Sequence, residues 1–223
     1  MNKKVLGILG GMGPLATSYF FQEILRWTNA KKDWEHLRII IDNNVDIPSR
    51  TRALLYGEES PVGSMRKACF SLMEMGCEYI AVPCNSAHSF FDEVVRGNEI
   101  PWVNMIKVIS DTLTNRKNVL VLGGYSIISR KIYDKYLDNT VYLQNNDLVY
   151  GIIEDIKVNN INIDRLFQLY DGINKSNVEC VLLGCTELPI ALRDEYVNCK
   201  MIDGNEIYIK KLIEMCGGVV KDE

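Results

Sequence analysis

The stretch Val5-Leu-Gly-Ile-Leu-Gly-Gly-Met-Gly-Pro-Leu15 decides how the chain begins to fold. Its first half is an apolar run too short for a helix, and glycines with a proline then interrupt the run. A helical pattern of apolar residues follows at 15–28. The stretch therefore predicts a buried strand, a tight turn and a helix, in that order.

The same alternation continues along the rest of the chain. Further apolar runs, several of them rich in β-branched residues, predict buried strands at 37–41, 79–83, 101–103, 119–122, 141–143, 180–183 and 200–202. Helical patterns lie between them at 62–75, 87–95, 105–113, 130–137, 146–157, 165–175, 188–196 and 207–216. Alternating strands and helices predict an α/β fold with parallel sheets flanked by helices.

Three pairs of segments indicate an internal repeat. Residues 5–11 are similar to 118–124, 77–84 to 178–185, and 101–104 to 200–203. Since the order is the same in both copies, we expect two pseudosymmetric lobes with the active site in the cleft between them. The first lobe is predicted at 1–104, joined by the C-terminal helix at 205–223, and the second lobe at 105–204.

Composition narrows the functional classes. The chain has 223 residues and a net charge of -4, with 47% apolar and 24% charged residues, as in ordinary globular proteins. Mild acidity gives no reason to expect nucleic acid or an anionic membrane as a partner. No apolar run approaches the roughly 18 residues of a membrane helix. The apolar N-terminus is read as a first strand rather than a signal peptide.

The cysteines are the most informative residue type. Seven cysteines stand against two histidines, without a C-x-x-C pair or regular spacing. This pattern predicts neither a disulfide framework nor a zinc site, and it favours a reduced, cytoplasmic protein without a metal. Most free cysteines are small core residues. That role is expected for Cys69, Cys77, Cys180, Cys199 and Cys216.

Cys84 and Cys185 differ, because the repeat places each of them after a buried strand and before a helix. Ligands of open α/β sheets bind beyond the carboxyl ends of strands, and a helix start there favours anions and thiolates. Asn, Ser and Thr after the cysteines are suitable helix caps. Two thiols that face one cleft from opposite sides could remove a proton from a carbon and return one to its other face.

Three segments resemble the signature segments of the aspartate/glutamate racemase family, and its aspartate racemase branch most. They are Gly10-Gly-Met-Gly-Pro14, Pro83-Cys-Asn-Ser-Ala-His88 and Gly184-Cys-Thr-Glu-Leu-Pro189. The resemblance covers essentially the whole chain. It implies cofactor-independent racemisation of an acidic amino acid, most often aspartate, by Cys84 and Cys185. It also implies a homodimer that binds a small molecule.

The resemblance further implies a set of substrate-binding residues, namely Met12, Arg50, Asn85, Ser86, Lys157, Thr186 and Glu187. Arg50 stands in Pro48-Ser-Arg-Thr51, where the family usually has an acid in place of Ser49. Its guanidinium suits a carboxylate, and Lys157 could hold a second one as a point charge. His88 is expected to be structural. The turn 123–127 departs from the threonines usual in the family.

Other functions remain open at this point. Gly11-Met-Gly-Pro-Leu-Ala16 fits a dinucleotide-binding turn, and Asp42 ends the second strand, which allows a nicotinamide-dependent oxidoreductase. Another two-cysteine enzyme of the superfamily is a second alternative: glutamate racemase, hydantoin racemase or a maleate isomerase-like enzyme. A non-catalytic amino-acid-binding module is a third.

Overall fold

The computed structural model describes residues 3–143 and 146–222, which form two compact units. The first unit contains the described residues up to Val108 together with those from Asn205 onward. The second unit runs from Ile109 to Gly204. The lobe boundary that the sequence places after residue 104 stays a prediction. Within the described ranges, no helix is long and apolar enough to cross a bilayer.

Strands and helices alternate along the chain. The strands are β1 (Leu6–Gly10), β2 (Ile39–Asn43), β3 (Tyr79–Ala81), β4 (Val119–Leu122), β5 (Thr140–Val141), β6 (Cys180–Leu183) and β7 (Lys200–Asp203). The helices are α1 (Pro14–Trp27), α2 (Arg50–Tyr56), α3 (Val62–Glu74), α4 (Phe91–Val95), α5 (Met105–Leu113), α6 (Tyr125–Arg130), α7 (Asp147–Lys157), α8 (Ile163–Asn174), α9 (Leu188–Ala191) and α10 (Gly204–Met215). Short 3-10 turns lie at Asp33–Glu35, Asn85–Phe90 and Asp194–Tyr196.

The first unit contains a parallel sheet with the strand order β2-β1-β3. Leu6 pairs with Ile39 on one side and with Tyr79 on the other. All residues of β1 are buried, because α1 and α3 both pack against this central strand. The sequence also predicts a strand at 101–103, but only an isolated bridge joins Trp102 to Ile80 there.

The second unit contains a parallel sheet with the order β5-β4-β6-β7. Both β4 and β6 are buried along their whole length. Four apolar residues of α7, at the spacing of one helix face, pack into the core of this unit: Val149, Ile152, Ile153 and Ile156. Strands buried on both faces read as unbroken apolar runs. This explains why the sequence pattern predicts the bounds of β4 and β6 correctly.

Helix α10 packs within the first unit. The ring of its Tyr208 lies 5.9 Å from that of Phe20 on α1, measured between centroids. The Tyr208 hydroxyl donates a hydrogen bond to the carbonyl of Val103 at 2.6 Å. A buried phenol needs such a partner, and this bond ties the C-terminal helix to the segment after β3.

One helix is predicted in the wrong place. The pattern at 130–137 predicts a helix, whereas α6 ends at Arg130 and turns follow. Lys131 has a left-handed backbone with φ of 46°, which stops the helix. Tyr133 and Leu137 are nevertheless buried, because successive turns place them on one side. Their spacing imitates a helix face.

Helix α2 is absent from the sequence prediction. It has no buried residue, so it lacks the apolar periodicity on which such predictions depend. Its start is stabilised by Ser49, whose hydroxyl accepts a hydrogen bond from the amide of Arg52 at 3.3 Å. Gly57 ends the helix with φ of 67°. The predicted helix at 188–196 is likewise shorter, because α9 ends at Ala191 and a separate 3-10 turn follows.

The glycine turn after β1 is closely packed. Thr17 of α1 accepts a hydrogen bond from the amide of Gly11 at 3.0 Å, and its hydroxyl donates to the carbonyl of Gly13 at 2.8 Å. Gly11 has φ of 82°, and a Cβ there would lie 2.3 Å from the carbonyl carbon of Asn44. Glycine is therefore required both by the backbone conformation and by the close approach of the chain after β2.

We expect Gly11→Ala to lower the free energy of unfolding by about 2 kcal/mol or more, because strain and overlap add. Gly57→Ala is the matched control, since Gly57 has φ of 67° but no atom within 4 Å of the added Cβ. Its cost is the left-handed strain alone, about 1 kcal/mol. Denaturant unfolding of both variants measures the difference. Equal losses would contradict the close packing at Gly11.

Candidate active site

Cys84 lies in the loop that leaves β3, residues 82–88, here named the first cysteine loop. The Cys84 side chain is buried, and its Sγ lies 3.4 Å from the Ser86 hydroxyl oxygen. A 3-10 turn from Asn85 to Phe90 follows, and it starts without a side-chain cap. The predicted capping role of Asn85 and Ser86 is therefore wrong. Asn85 is itself buried, while Ser86 is half-buried.

His88 joins the end of this loop to its first residue, Val82, which directly follows β3. Its Nε2 lies 3.0 Å from the carbonyl oxygen of Val82, which also accepts the amide of Cys84 at 2.8 Å. The imidazole packs between Trp102 and Tyr208, at centroid distances of 5.1 and 6.4 Å. Burial lowers the pKa of His88 to about 4, so the ring is neutral near pH 7. This is the environment expected of a structural histidine.

Arg50 stands at the start of α2 and reaches back to the glycine turn. Its guanidinium donates to the carbonyls of Ile47 at 3.1 Å, Pro48 at 2.9 Å and Met12 at 3.2 Å. The structure thus brings together Arg50 and Met12, two of the predicted site residues. Met12 and Cys84 also belong to the same buried apolar cluster. Three residues predicted from separate segments therefore lie in one region of the first unit.

Cys185 lies in the loop that leaves β6, residues 184–188, here named the second cysteine loop. The half-buried thiol donates to Oε2 of Glu187 at 3.0 Å. The Thr186 hydroxyl donates to the same oxygen at 3.1 Å. Thr186 and Glu187 are both buried, with 3% and 5% of their surfaces exposed. A thiol and a buried carboxylate therefore share one hydrogen bond.

The thiol of Cys185 is harder to ionise than the sequence suggests. Burial raises the pKa of Cys185 well above its ordinary value, and the carboxylate of Glu187 raises it further, against the opposing charge of Lys157. The expectation that a helix start lowers this pKa is wrong. Helix α9 has only four residues and begins after Glu187, so its dipole is weak beside desolvation and a neighbouring negative charge.

Lys157 lies at the end of α7 and pairs with Glu154, Nζ to Oε1, at 2.8 Å. Burial alone would lower the pKa of Lys157. The hydrogen bond to Glu154 and the negative charges of Glu187 and Cys185 outweigh it, and the net shift is upward. Lys157 therefore stays an ammonium ion. Its charge acts on the second cysteine loop, although a carboxylate of its own helix already holds it.

The turn after β4 lies against the second cysteine loop. The amide of Gly184 donates to Leu122 at 2.7 Å, and a Cβ on Gly123 would lie 3.1 Å from the Gly184 carbonyl oxygen. The side-chain amide of Asn146 donates to the carbonyl of Gly123 at 2.7 Å. Sequence reasoning missed Asn146, for which the one available signal was its position at the start of the predicted helix 146–157.

Aromatic residues border this turn on α6 and α7. The rings of Tyr125 and Tyr150 lie 4.5 Å apart, and the Tyr125 hydroxyl donates to Asp147. Tyr125 belongs to the turn 123–127, where the family resemblance predicts threonines. Across the described residues, no group of three or more His, Cys, Asp and Glu side chains could hold a metal ion.

Comparison with known proteins gives the class to which this arrangement belongs. The chain matches the model of the Asp/Glu/hydantoin racemase family over residues 9–212, and it therefore belongs to that family. The resemblance, the α/β fold of two parallel sheets flanked by helices and the amino-acid racemase class are confirmed. The match includes both cysteine loops, and this favours racemase chemistry over a dinucleotide-binding role for the glycine turn.

Individual relatives agree with the family assignment. The aspartate racemase of Picrophilus torridus has a similar structure, with a TM-score of 0.89 and 32% identity over 98% of this chain and 96% of that one. The broad specificity amino-acid racemase RacX of Bacillus subtilis (strain 168) is 26% identical over 94% of this chain and 96% of that protein. The glutamate racemase RacE1 of Bacillus anthracis shares the fold, with a TM-score of 0.63 and 19% identity over 96% of this chain and 82% of that one.

The neutral, buried His88 predicts how stability depends on pH. Its pKa is lowered from 6.5 to about 4 in the folded chain, so the unfolded state binds more protons between these values. We expect the free energy of unfolding to fall by roughly 3 kcal/mol through this residue as pH drops from 6.5 to 4. His88→Gln should reduce that slope, as measured by denaturant unfolding at a series of pH values.

His36→Gln is the control for this experiment, because it removes the other histidine and leaves the buried ring in place. The slope of this variant should stay close to that of the wild type. Identical slopes in the wild type and in His88→Gln would show that His88 is not the group that titrates.

Proposed function

We propose that this racemase inverts the Cα of aspartate without a cofactor, with Cys84 and Cys185 as its two acid–base groups. The observation that carries the proposal is the matched position of the two thiols. In the first sheet Leu6 pairs with Tyr79, and in the second sheet Val119 pairs with Cys180. If the same register is continued past the ends of the strands, Cys84 falls opposite Gly11 in the first unit. In the second unit, Cys185 falls opposite Gly124.

In each unit, two strands therefore pair directly: one leads into a glycine turn, and the other leads to the cysteine. In the proposed reaction, one thiolate takes the Cα proton and the C–H electron pair stays on the substrate as a carbanion. The other thiol gives its proton to the opposite face, and its S–H electron pair stays on sulfur. The protein thus ends with one thiolate and one thiol, exchanged between the two cysteines.

Two cations support a substrate with two carboxylates. Arg50 and Lys157 are the positively charged members of the predicted binding set, and one lies in each unit. Met12, Asn85, Ser86, Thr186 and Glu187 remain proposed substrate contacts, and the homodimer and the cytoplasmic location remain predictions. The similarity to an aspartate racemase at 32% identity favours aspartate.

A second candidate is the racemisation of a broader set of amino acids. It is favoured by the similarity to RacX and by the aromatic residues Tyr125 and Tyr150 that border the turn after β4. A panel of L-amino acids, acidic and neutral, in deuterium oxide separates the two candidates. Exchange at Cα of aspartate alone supports the first candidate, and comparable exchange with neutral substrates supports the second. No exchange with L- or D-aspartate under reducing conditions would remove aspartate racemisation.

Each of the two thiols should be required. We expect Cys84→Ala and Cys185→Ala to lower the racemisation rate by at least about 10²-fold, because each removes one acid–base group. The optical rotation of L- and D-aspartate measures the rate. Cys199→Ala is the control, since Cys199 is a half-buried cysteine outside both cysteine loops. Full activity in either loop variant would exclude a two-base mechanism.

Arg50→Lys tests the proposed carboxylate contact. Lysine keeps the charge but not the planar set of donors that reaches several acceptors at once. We expect the KM for aspartate to rise roughly tenfold or more, measured in both directions. The control is Arg52→Lys, because Arg52 is exposed and pairs with Glu58. A KM that does not change would place Arg50 outside the substrate site.

A further inference from the structure

The carboxylate of Glu187 is buried and faces the thiol of Cys185. Its Oε2 accepts hydrogen bonds from Cys185 Sγ at 3.0 Å and from Thr186 Oγ1 at 3.1 Å. A buried carboxylate keeps its charge only where donors replace water. An ionised carboxylate can accept but not donate. Cys185 Sγ is the donor of its hydrogen bond to Glu187, so the proton lies on the sulfur.

The contact of Cys84 is of another kind. Its Sγ lies 3.4 Å from the hydroxyl of Ser86, a group that can either donate or accept. A hydroxyl that donates a hydrogen bond stabilises a thiolate. A neighbouring carboxylate destabilises a thiolate, because both groups are negatively charged. The two cysteines have matching positions beside their glycine turns, yet their chemical partners differ.

We propose that Glu187 is a positioning residue that keeps the proton on Cys185, so that Cys185 enters the reaction as the proton donor and Cys84 as the proton acceptor. This assignment rests on the proposed two-thiol function and names the direction of its first turnover. It also gives Glu187 a role in addition to its proposed contact with the substrate.

The other titratable groups around Cys185 are compatible with this role. Lys157 acts against Glu187, but Glu154 holds its ammonium at 2.8 Å. Tyr133 is completely buried, and burial raises its pKa, so its phenol stays neutral and adds no charge. Glu187 is thus the group in contact with the thiol that decides where its proton lies.

The reaction changes this balance. When Cys185 gives its proton to the carbanion, the S–H electron pair remains on sulfur, and a thiolate then lies beside the carboxylate of Glu187. Two negative charges at this distance repel strongly in a buried site. The enzyme form in which Cys185 is the base is therefore the less populated one. Each enantiomer reacts with the enzyme form in which the thiolate faces its Cα proton. The forms that serve the two enantiomers are therefore unequally populated.

Alkylation of the two thiols by iodoacetamide tests the proposal. The full-length, reduced protein is treated without substrate from pH 6 to 9, and mass spectrometry follows the peptides that contain Cys84 and Cys185. We expect Cys84 to react at least tenfold faster near pH 7. Exposure alone predicts the opposite order, because Cys84 is buried and Cys185 is half-buried.

Glu187→Gln should raise the alkylation rate of Cys185 near pH 7 by about tenfold or more, since one pKa unit changes the thiolate fraction by that factor. The rate of Cys84 should stay the same. Glu195→Gln is the matched control, because it removes the same charge at an exposed position of the second unit. This control should change neither rate.

Three results would overturn the proposal. One is faster alkylation of Cys185 than of Cys84 in the wild type, a comparison that does not depend on how any variant folds. Another is an unchanged pH profile of Cys185 in Glu187→Gln. The third is a raised KM for aspartate in that variant with unaltered alkylation, which would limit the role of Glu187 to contact with the substrate. Since alkylation needs no substrate, a failure of aspartate exchange alone would affect only the proposed function.

Discussion

Parallel pairing next to a glycine turn is the constraint on which the site depends. In each unit the strand that ends at the glycine turn pairs directly with the strand that ends at a cysteine loop. Because parallel strands run in the same direction, their carboxyl ends meet at one edge of the sheet. At that edge Gly11 lies close to Asn44, in the segment after β2, and Gly123 lies close to Gly184 of the second cysteine loop. A larger residue at either position would displace the segment beside it.

Burial acts differently on the groups that this architecture brings to the sheet edges. It keeps His88 neutral, and this neutral ring joins the two ends of the first cysteine loop through its contact with Val82. In the second cysteine loop burial disfavours the thiolate of Cys185, and Glu187 adds to the effect. The two halves of the chain repeat the backbone arrangement around the thiol but not the electrostatics. The proposed two-thiol reaction needs one thiol and one thiolate, and an asymmetry of this kind can supply them.

The success of the sequence prediction varied with burial. Strands β4 and β6 were predicted at their observed bounds, because both faces are covered and their apolar runs are unbroken. Helix α2 was missed because it buries no residue, so no periodicity marks it. The pattern at 130–137 was misread because Tyr133 and Leu137 reach the core through turns rather than through a helix. The predicted caps at Asn85 and Ser86 failed because the segment after Cys84 forms a 3-10 turn.

The sequence by itself determined the α/β class, the family and the identity of the two cysteines that end matching strands. These features depend on apolar periodicity and on short motifs, both of which are local along the chain. Only the tertiary structure decided the partners of those cysteines and of Arg50. The contact of Arg50 with Met12 joins residues far apart in the chain, and it depends on the packing of the glycine turn. Glu187 is a near neighbour of Cys185 in sequence, but its effect on the thiol comes from the burial that the folded chain imposes.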